Sequence, residues 1–159
     1  MRSKLLSRFI SFMTSAPNRS TERSNDPMDD SIRNILTTTH TIAIVGLSDN
    51  PERYSNIVAR YLQNHGYRII PVNPNITEVL GEKAYPDLAS IPFPVDLVDV
   101  FRNTRYASNV VTQAINMKVP VVWLQLGINI PNIQDMTANS STICIDKCCI
   151  KAEHHRLMN

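Results

Sequence analysis

Short apolar runs alternate with amphipathic stretches from about residue 28 onward. The runs "TIAIV" (41–45), "YRIIPV" (67–72), "VDLVDVF" (95–101), "PVVWLQLG" (120–127) and "TICID" (142–146) have the length and β-branched content of buried strands. Between them the apolar period lengthens to that of a helix. "DDSIRNILTT" places Ile32, Ile35 and Leu36 on one face, with two acids at its start. In "SNIVARYLQNHG" (55–66) the repeat is Ile57, Val58, Tyr61 and Leu62, and Gly66 stands where a C-terminal cap belongs. In "YASNVVTQAINM" (106–117), Ala107, Val110, Val111, Ala114 and Ile115 face inward. A weaker helix is predicted over 131–138. The stretch 73–92, punctuated by Pro74, Gly81, Pro86 and Pro92, reads as loop with one short turn at Asp87–Ser90.

Strands alternating with helices argue for an α/β fold: a Rossmann-like, doubly wound, mainly parallel five-stranded sheet with helices on both faces. In such a sheet a ligand lies outside the carboxyl ends of the strands, at the switch point. The loops 46–55, 73–83, 101–105 and 125–131 therefore carry the candidate chemistry. Trp123 alternates with its neighbours inside a strand and is expected in the core.

Composition adjusts this picture at one end. Residues 1–27 hold Arg2, Lys4, Arg8, Arg19 and Arg23 against Glu22 and Asp26, and contain no glycine. Leu5, Leu6, Phe9, Ile10 and Met13 share a face at helical spacing. This segment reads as a flexible basic extension or a targeting segment, and residues 28–159 as the folded domain. The expected location is cytoplasmic, or mitochondrial if the extension is a transit peptide. A net charge of +2 does not call for a nucleic-acid surface, and no apolar run is long enough to span a bilayer. The three cysteines, Cys144, Cys148 and Cys149, cluster near the C-terminus and do not read as a disulfide framework. With His154 and His155 they do not repeat a metal-ligand spacing either, so no metal site is assigned. No paired general acid and base and no Ser-His-Asp set follows from spacing.

The first strand runs into "GLSDNPERYS". A dinucleotide fingerprint needs three glycines, but the corresponding positions here are Gly46, Ser48 and Pro51. Gly46 permits the tight turn, Ser48 adds a hydroxyl, and Arg53 adds a charge-assisted contact to an anion near a helix start. At the end of the second strand a nicotinamide site carries an acid for the ribose, whereas this chain has Asn73 followed by Pro74. A neutral Asn tolerates a further ribose phosphate, such as coenzyme A carries, where a carboxylate repels it.

The segments "TIAIVGLSDNPERYSNIVARYLQNHGYRIIPVNP", "LGEKAYPDLASIP", "VDLVDVFRN" and "VVWLQLG" resemble, in this order, the small bacterial CoA-binding domain proteins. Those share a fold with the CoA-binding domain of the succinyl-CoA synthetase alpha subunit. The resemblance implies that Gly46, Ser48, Arg53 and Ser55 line the phosphate end and that Asn73 and Pro74 lie by the adenosine ribose. It implies that Phe101, Arg102 and Asn103 close the next rim, and that Gln125 and Gly127 border the fourth-strand loop. The chain departs from the family pattern at Thr104-Arg105, at Lys118 and in "DKCCIKAEHH", where either Cys148 or Cys149 matches the family cysteine. The expected function is stand-alone binding of coenzyme A or an acyl-CoA, with no catalysis identified. The alternatives are a nicotinamide-nucleotide-binding enzyme or redox-sensing module, and a CoA-supplying subunit of a separately encoded acyl-CoA ligase. The expected partner is a small CoA ligand, with no nucleic acid and no membrane; self-association and a ligase subunit stay open.

Overall fold

The computed structural model describes residues 9–11 and 26–159. The strands are β1 (Phe9–Ser11), β2 (Thr41–Val45), β3 (Arg68–Val72), β4 (Glu78–Val79), β5 (Glu82–Lys83), β6 (Leu97–Val100), β7 (Val121–Leu124) and β8 (Ile143–Asp146). The helices are α1 (Pro27–Thr38), α2 (Tyr54–Asn64), α3 (Thr104–Asn116), α4 (Ile133–Thr137) and α5 (Ile150–Met158). The main sheet runs β1-β8-β7-β6-β2-β3, and each pairing is parallel. The doubly wound Rossmann-like architecture expected from the alternation is present.

All five expected strands form, and Phe9–Ser11 adds a sixth along β8, with Ile10 opposite Ile145. Phe9 and Ile10 are therefore extended rather than helical. The open edge of β8 offers a row of backbone partners, which outweighs a weak helical period in a short segment. Leu5, Leu6 and Met13, the other members of that face, lie outside the described residues. Helix α1 begins slightly before residue 28. Asp26 caps α1 by accepting from Met28 N at 2.9 Å, and Pro27 occupies the first turn, where its missing N–H is harmless.

The two sheet faces are buried by different helices. On one, Ala43, Val45, Val98, Val100 and Val122 pack under Ala107, Val110, Val111 and Ala114 of α3 and Ile133 of α4. On the other, Ile42, Ile44, Leu97 and Trp123 pack under Ile32 and Leu36 of α1, Val58 and Leu62 of α2, and Ile150 of α5. Trp123 is fully buried, and its indole N–H donates to Cys148 O at 3.0 Å, which satisfies its only polar group.

The tail after β8 forms α5, which the apolar pattern did not announce. Two of its three buried residues, Glu153 and His154, are polar. Arg156 donates to both oxygens of Asp29, at 2.6 and 2.8 Å, and to Glu153 Oε2 at 2.6 Å, which ties α5 to α1. Two further pieces lie in the stretch read as loop. Glu78–Val79 and Glu82–Lys83 form an antiparallel hairpin, and Leu88–Ser90 forms a 3₁₀ turn capped by Asp87. Among the described residues no helix is long and apolar enough to cross a membrane.

Candidate ligand-binding site

The order of the five central strands, β3-β2-β6-β7-β8, reverses direction between β2 and β6. The loops leaving these two strands diverge to opposite faces and open a crevice at the carboxyl edge. Gly46 sits at that point with φ +88°, and its N–H donates to Val72 O at 2.9 Å. A Cβ built there meets Phe101 O at 3.0 Å and the Arg102 side chain at 3.1 Å. Glycine is required both for the left-handed backbone and for the close approach of the β6 exit.

The chain from Gly46 to α2 is pinned by its own polar groups. Ser48 N donates to Ser55 Oγ at 3.1 Å, Asn50 N donates to Ser48 Oγ at 3.1 Å, and Asn56 Nδ2 donates to Ser48 O at 2.8 Å. Both serine oxygens act as acceptors within the loop, so each hydroxyl keeps its hydrogen for an outside acceptor. The N-cap of α2 is Arg53, with no side chain capping the first turn. An open cleft of about 360 Å³ lies over this turn, lined by Gly46, Ser48, Arg53, Tyr54, Ser55 and Phe101. Hydroxyl donors, a guanidinium, an uncapped helix start and no lining carboxylate are chemistry that suits an anion.

Two smaller recesses lie along the same edge. One, of about 260 Å³, shares Tyr54 and Phe101 with the first and adds Arg102, Asn103, Gln125, Leu126, Gly127 and Ile128. The other, of about 150 Å³, is lined by Pro74, Asp87, Arg102, Tyr106 and Asn109 among others. Tyr54 and Phe101 are common to the first two recesses and Arg102 to the two smaller ones, so the three lie side by side as a groove along this edge. Gly127, at φ +86°, turns the chain behind β7 so that exposed Leu126 stands at its rim.

Of the residues singled out in the sequence, Gly46, Ser48, Arg53, Ser55, Pro74, Phe101, Arg102, Asn103, Gln125 and Gly127 line this groove. Asn73 is placed differently. Its Nδ2 donates to Leu47 O at 2.9 Å and its Oδ1 accepts from Asn75 N at 2.9 Å, so both ends of the amide brace the loops beside the crevice. Tyr54, Tyr106 and Leu126 were not anticipated. All three are large, exposed side chains at the ends of elements, a position that apolar periodicity does not mark.

A buried polar cluster lies below. Asp99, fully buried in β6, accepts from Gln125 Nε2 at 2.7 Å. Burial pushes its carboxyl up to about 8 against the opposing effects of Gln125 and the Val100 backbone, so it holds its proton at neutral pH. Tyr54 Oη lies 2.8 Å from Cys149 Sγ, and burial with this bond pushes the phenol up to about 12. Burial and nearby Glu153 push the Cys148 thiol up, and burial pushes Cys144 up to about 12. His154 is buried against Tyr61 Oη, 3.0 Å away, and burial lowers its basicity.

Comparison with known proteins places this geometry in a family. Residues 40–155 match the family model described as a CoA binding domain. The chain is 40% identical over 130 residues to the uncharacterized protein YneT of Bacillus subtilis (strain 168), covering 81% of this chain and 96% of that one. A hypothetical protein from Pyrococcus horikoshii OT3 superposes with a TM-score of 0.80 at 36% identity, over 91% of this chain and 100% of the other. The dinucleotide forming acetyl-coenzyme A synthetase 1 of Ca. Korarchaeum cryptofilum shares the fold, with a TM-score of 0.58 at 20% identity. That match covers 65% of this chain and 25% of the synthetase. With the switch-point crevice, the family model and these relatives in agreement, the chain belongs to the CoA binding domain family.

Proposed function

We propose that the protein binds coenzyme A, or an acyl-CoA, along the groove at the carboxyl edge of its sheet. The observation that carries this reading is the cleft over Gly46. There Ser48, Ser55 and Arg53 present donors and charge at the uncapped start of α2. The diphosphate lies in this cleft and the adenosine in the recess beside Pro74 and Tyr106. The pantetheine arm follows the recess past Phe101, Gln125 and Leu126. Charge-assisted contacts to a phosphate contribute about 1.5–3 kcal/mol each, so a few suffice to anchor the ligand.

Asn73 bears on the choice of nucleotide. A neutral side chain ends β3, and its amide fixes the Leu47 carbonyl rather than receiving a ribose hydroxyl. The 3′-phosphate of coenzyme A then meets no carboxylate from this strand, and the adenosine recess sets Arg102 against the carboxylate of Asp87. An acyl group is accommodated because the thioester end lies beyond the anchoring groups. The same arrangement suits a subunit that presents coenzyme A to a separate ligase. Native mass spectrometry of protein purified without added ligand tests the reading. Retained coenzyme A or an acyl-CoA is the expected mass difference; a retained nicotinamide dinucleotide would overturn it.

A further inference from the structure

A thiol lies directly beneath the groove. Cys149 stands at the start of α5, is 3% exposed, and is hydrogen-bonded through Sγ to Tyr54 Oη. Tyr54 opens α2, is 50% exposed, and lines both the phosphate cleft and the recess that continues from it. Its side chain therefore reaches from the groove down to the thiol. The ring is steadied by an edge contact with Phe101, with centroids 6.2 Å apart. Access to Sγ from the groove therefore requires the half-exposed Tyr54 ring to turn aside.

A second observation points to a ligand at the same place. Gln125 lines the recess with Tyr54 and is 3% exposed. Its Nε2 is held by Asp99, while its Oε1 and Asp99 Oδ2 have no hydrogen-bond partner among the described residues. A buried amide oxygen left unmatched is costly, and an amide-bearing arm in the recess supplies Gln125 Oε1 with the missing donor.

We propose that Cys149 is a thiol-exchange site that forms a mixed disulfide with coenzyme A when the cofactor arrives as a disulfide. This inference rests on the coenzyme A reading of the groove. In the step, the Cys149 sulfur, as thiolate, attacks the sulfur on the CoA side of CoA–S–S–R. A new S–S bond joins the CoA sulfur to Cys149 Sγ, and the S–S bond between that CoA sulfur and the R sulfur breaks. The leaving RS⁻ takes up the proton that Cys149 released, so Cys149 is oxidised, R is reduced to its thiol and no further oxidant is needed. The Tyr54 phenol stays protonated throughout the neutral range, so it places no second negative charge beside the thiolate. Cys148 is disfavoured, since burial and then Glu153 and Asp146 oppose its ionisation, and Cys144 packs on the opposite face of the sheet. Anchoring by the nucleotide raises the local concentration of the disulfide near Sγ, so a nucleotide-free disulfide reacts more slowly.

The test uses the reduced full chain, incubated separately with coenzyme A disulfide and with glutathione disulfide, followed by intact mass and peptide mapping. The expected product gains one coenzyme A less two hydrogens, mapped to Cys149. It forms at least about tenfold faster than the glutathione adduct and is suppressed by excess adenosine 3′,5′-diphosphate. Cys148→Ser retains the adduct and Cys149→Ser loses it; mapping on the parent chain gives the site even if a variant fails to fold. Equal rates with both disulfides and no protection by the nucleotide overturn the proposal. So does an adduct on another cysteine. Reversible coenzyme A binding by calorimetry with no adduct overturns the exchange alone. Absence of any coenzyme A binding overturns the underlying reading as well.

Discussion

Gly46 is the residue on which the crevice turns. Alanine there needs φ near +88° and brings a methyl to 3.0 Å from the Phe101 carbonyl. The left-handed backbone alone costs about 1–2 kcal/mol. Gly46→Ala is expected to lose about 2 kcal/mol of stability and about 4–8 °C of melting temperature, with weaker coenzyme A binding because the Arg102 rim is displaced. Thermal denaturation and ligand titration of the same preparation check both effects. Asp99 gives a prediction of different sign. Its carboxyl titrates near 3.8 when unfolded and about 8 when folded, so the folded state binds the extra proton between these values. Its contribution is full below pH 4, falls as pH rises toward 8, and is level above that. Urea midpoints measured from pH 4 to pH 9 should decline over this window more steeply in the parent than in Asp99→Asn. Subtracting the two curves removes the opposing contribution of His154, whose lowered basicity acts at the acid end. Gly46, Ser48 and Arg53 were legible as a group because a strand-glycine-helix turn has a sequence signature. The bracing role of Asn73 was not, because its partner Leu47 O lies 26 residues away in the chain.

At the scale of elements, α5 is held by Arg156 as much as by apolar packing. Asp29 and Glu153 have side chains 9% and 11% exposed, while Arg156 is 44% exposed. Removing the guanidinium leaves two nearly buried carboxylates without their cation, and the exposure of the arginine limits the loss. Arg156→Ala is expected to lower stability by about 1–2 kcal/mol. Asp29→Asn in the same chain should restore part of it, as read from urea denaturation. This clamp also explains what the sequence left hidden. The five central strands and the faces of α1, α2 and α3 follow from apolar period, because apolar burial is what forms them. Helix α5 buries Glu153 and His154 alongside Ile150, so its period is carried by residues that read as polar. The hairpin at 78–83 turns through Leu80 and Gly81, both at positive φ, and leucine gives no turn signal there. Strand β1 exists through its pairing with β8, a contact that no local pattern contains.

At the scale of the whole molecule, the strand order decides where a ligand goes. The reversal between β2 and β6 brings loops from residues 46–55, 73–74, 101–103 and 125–127 to one edge. β1 and β8 lie at the far side of the sheet from β2 and β3. On the proposed function, this edge binds coenzyme A in preference to a dinucleotide. Isothermal titration of the full chain with coenzyme A, dephospho-coenzyme A and NAD under one buffer tests it most directly. The account predicts saturable one-to-one binding that is tightest for coenzyme A, weaker without the 3′-phosphate and weakest for NAD. NAD binding as tight as coenzyme A, or tighter, would contradict it.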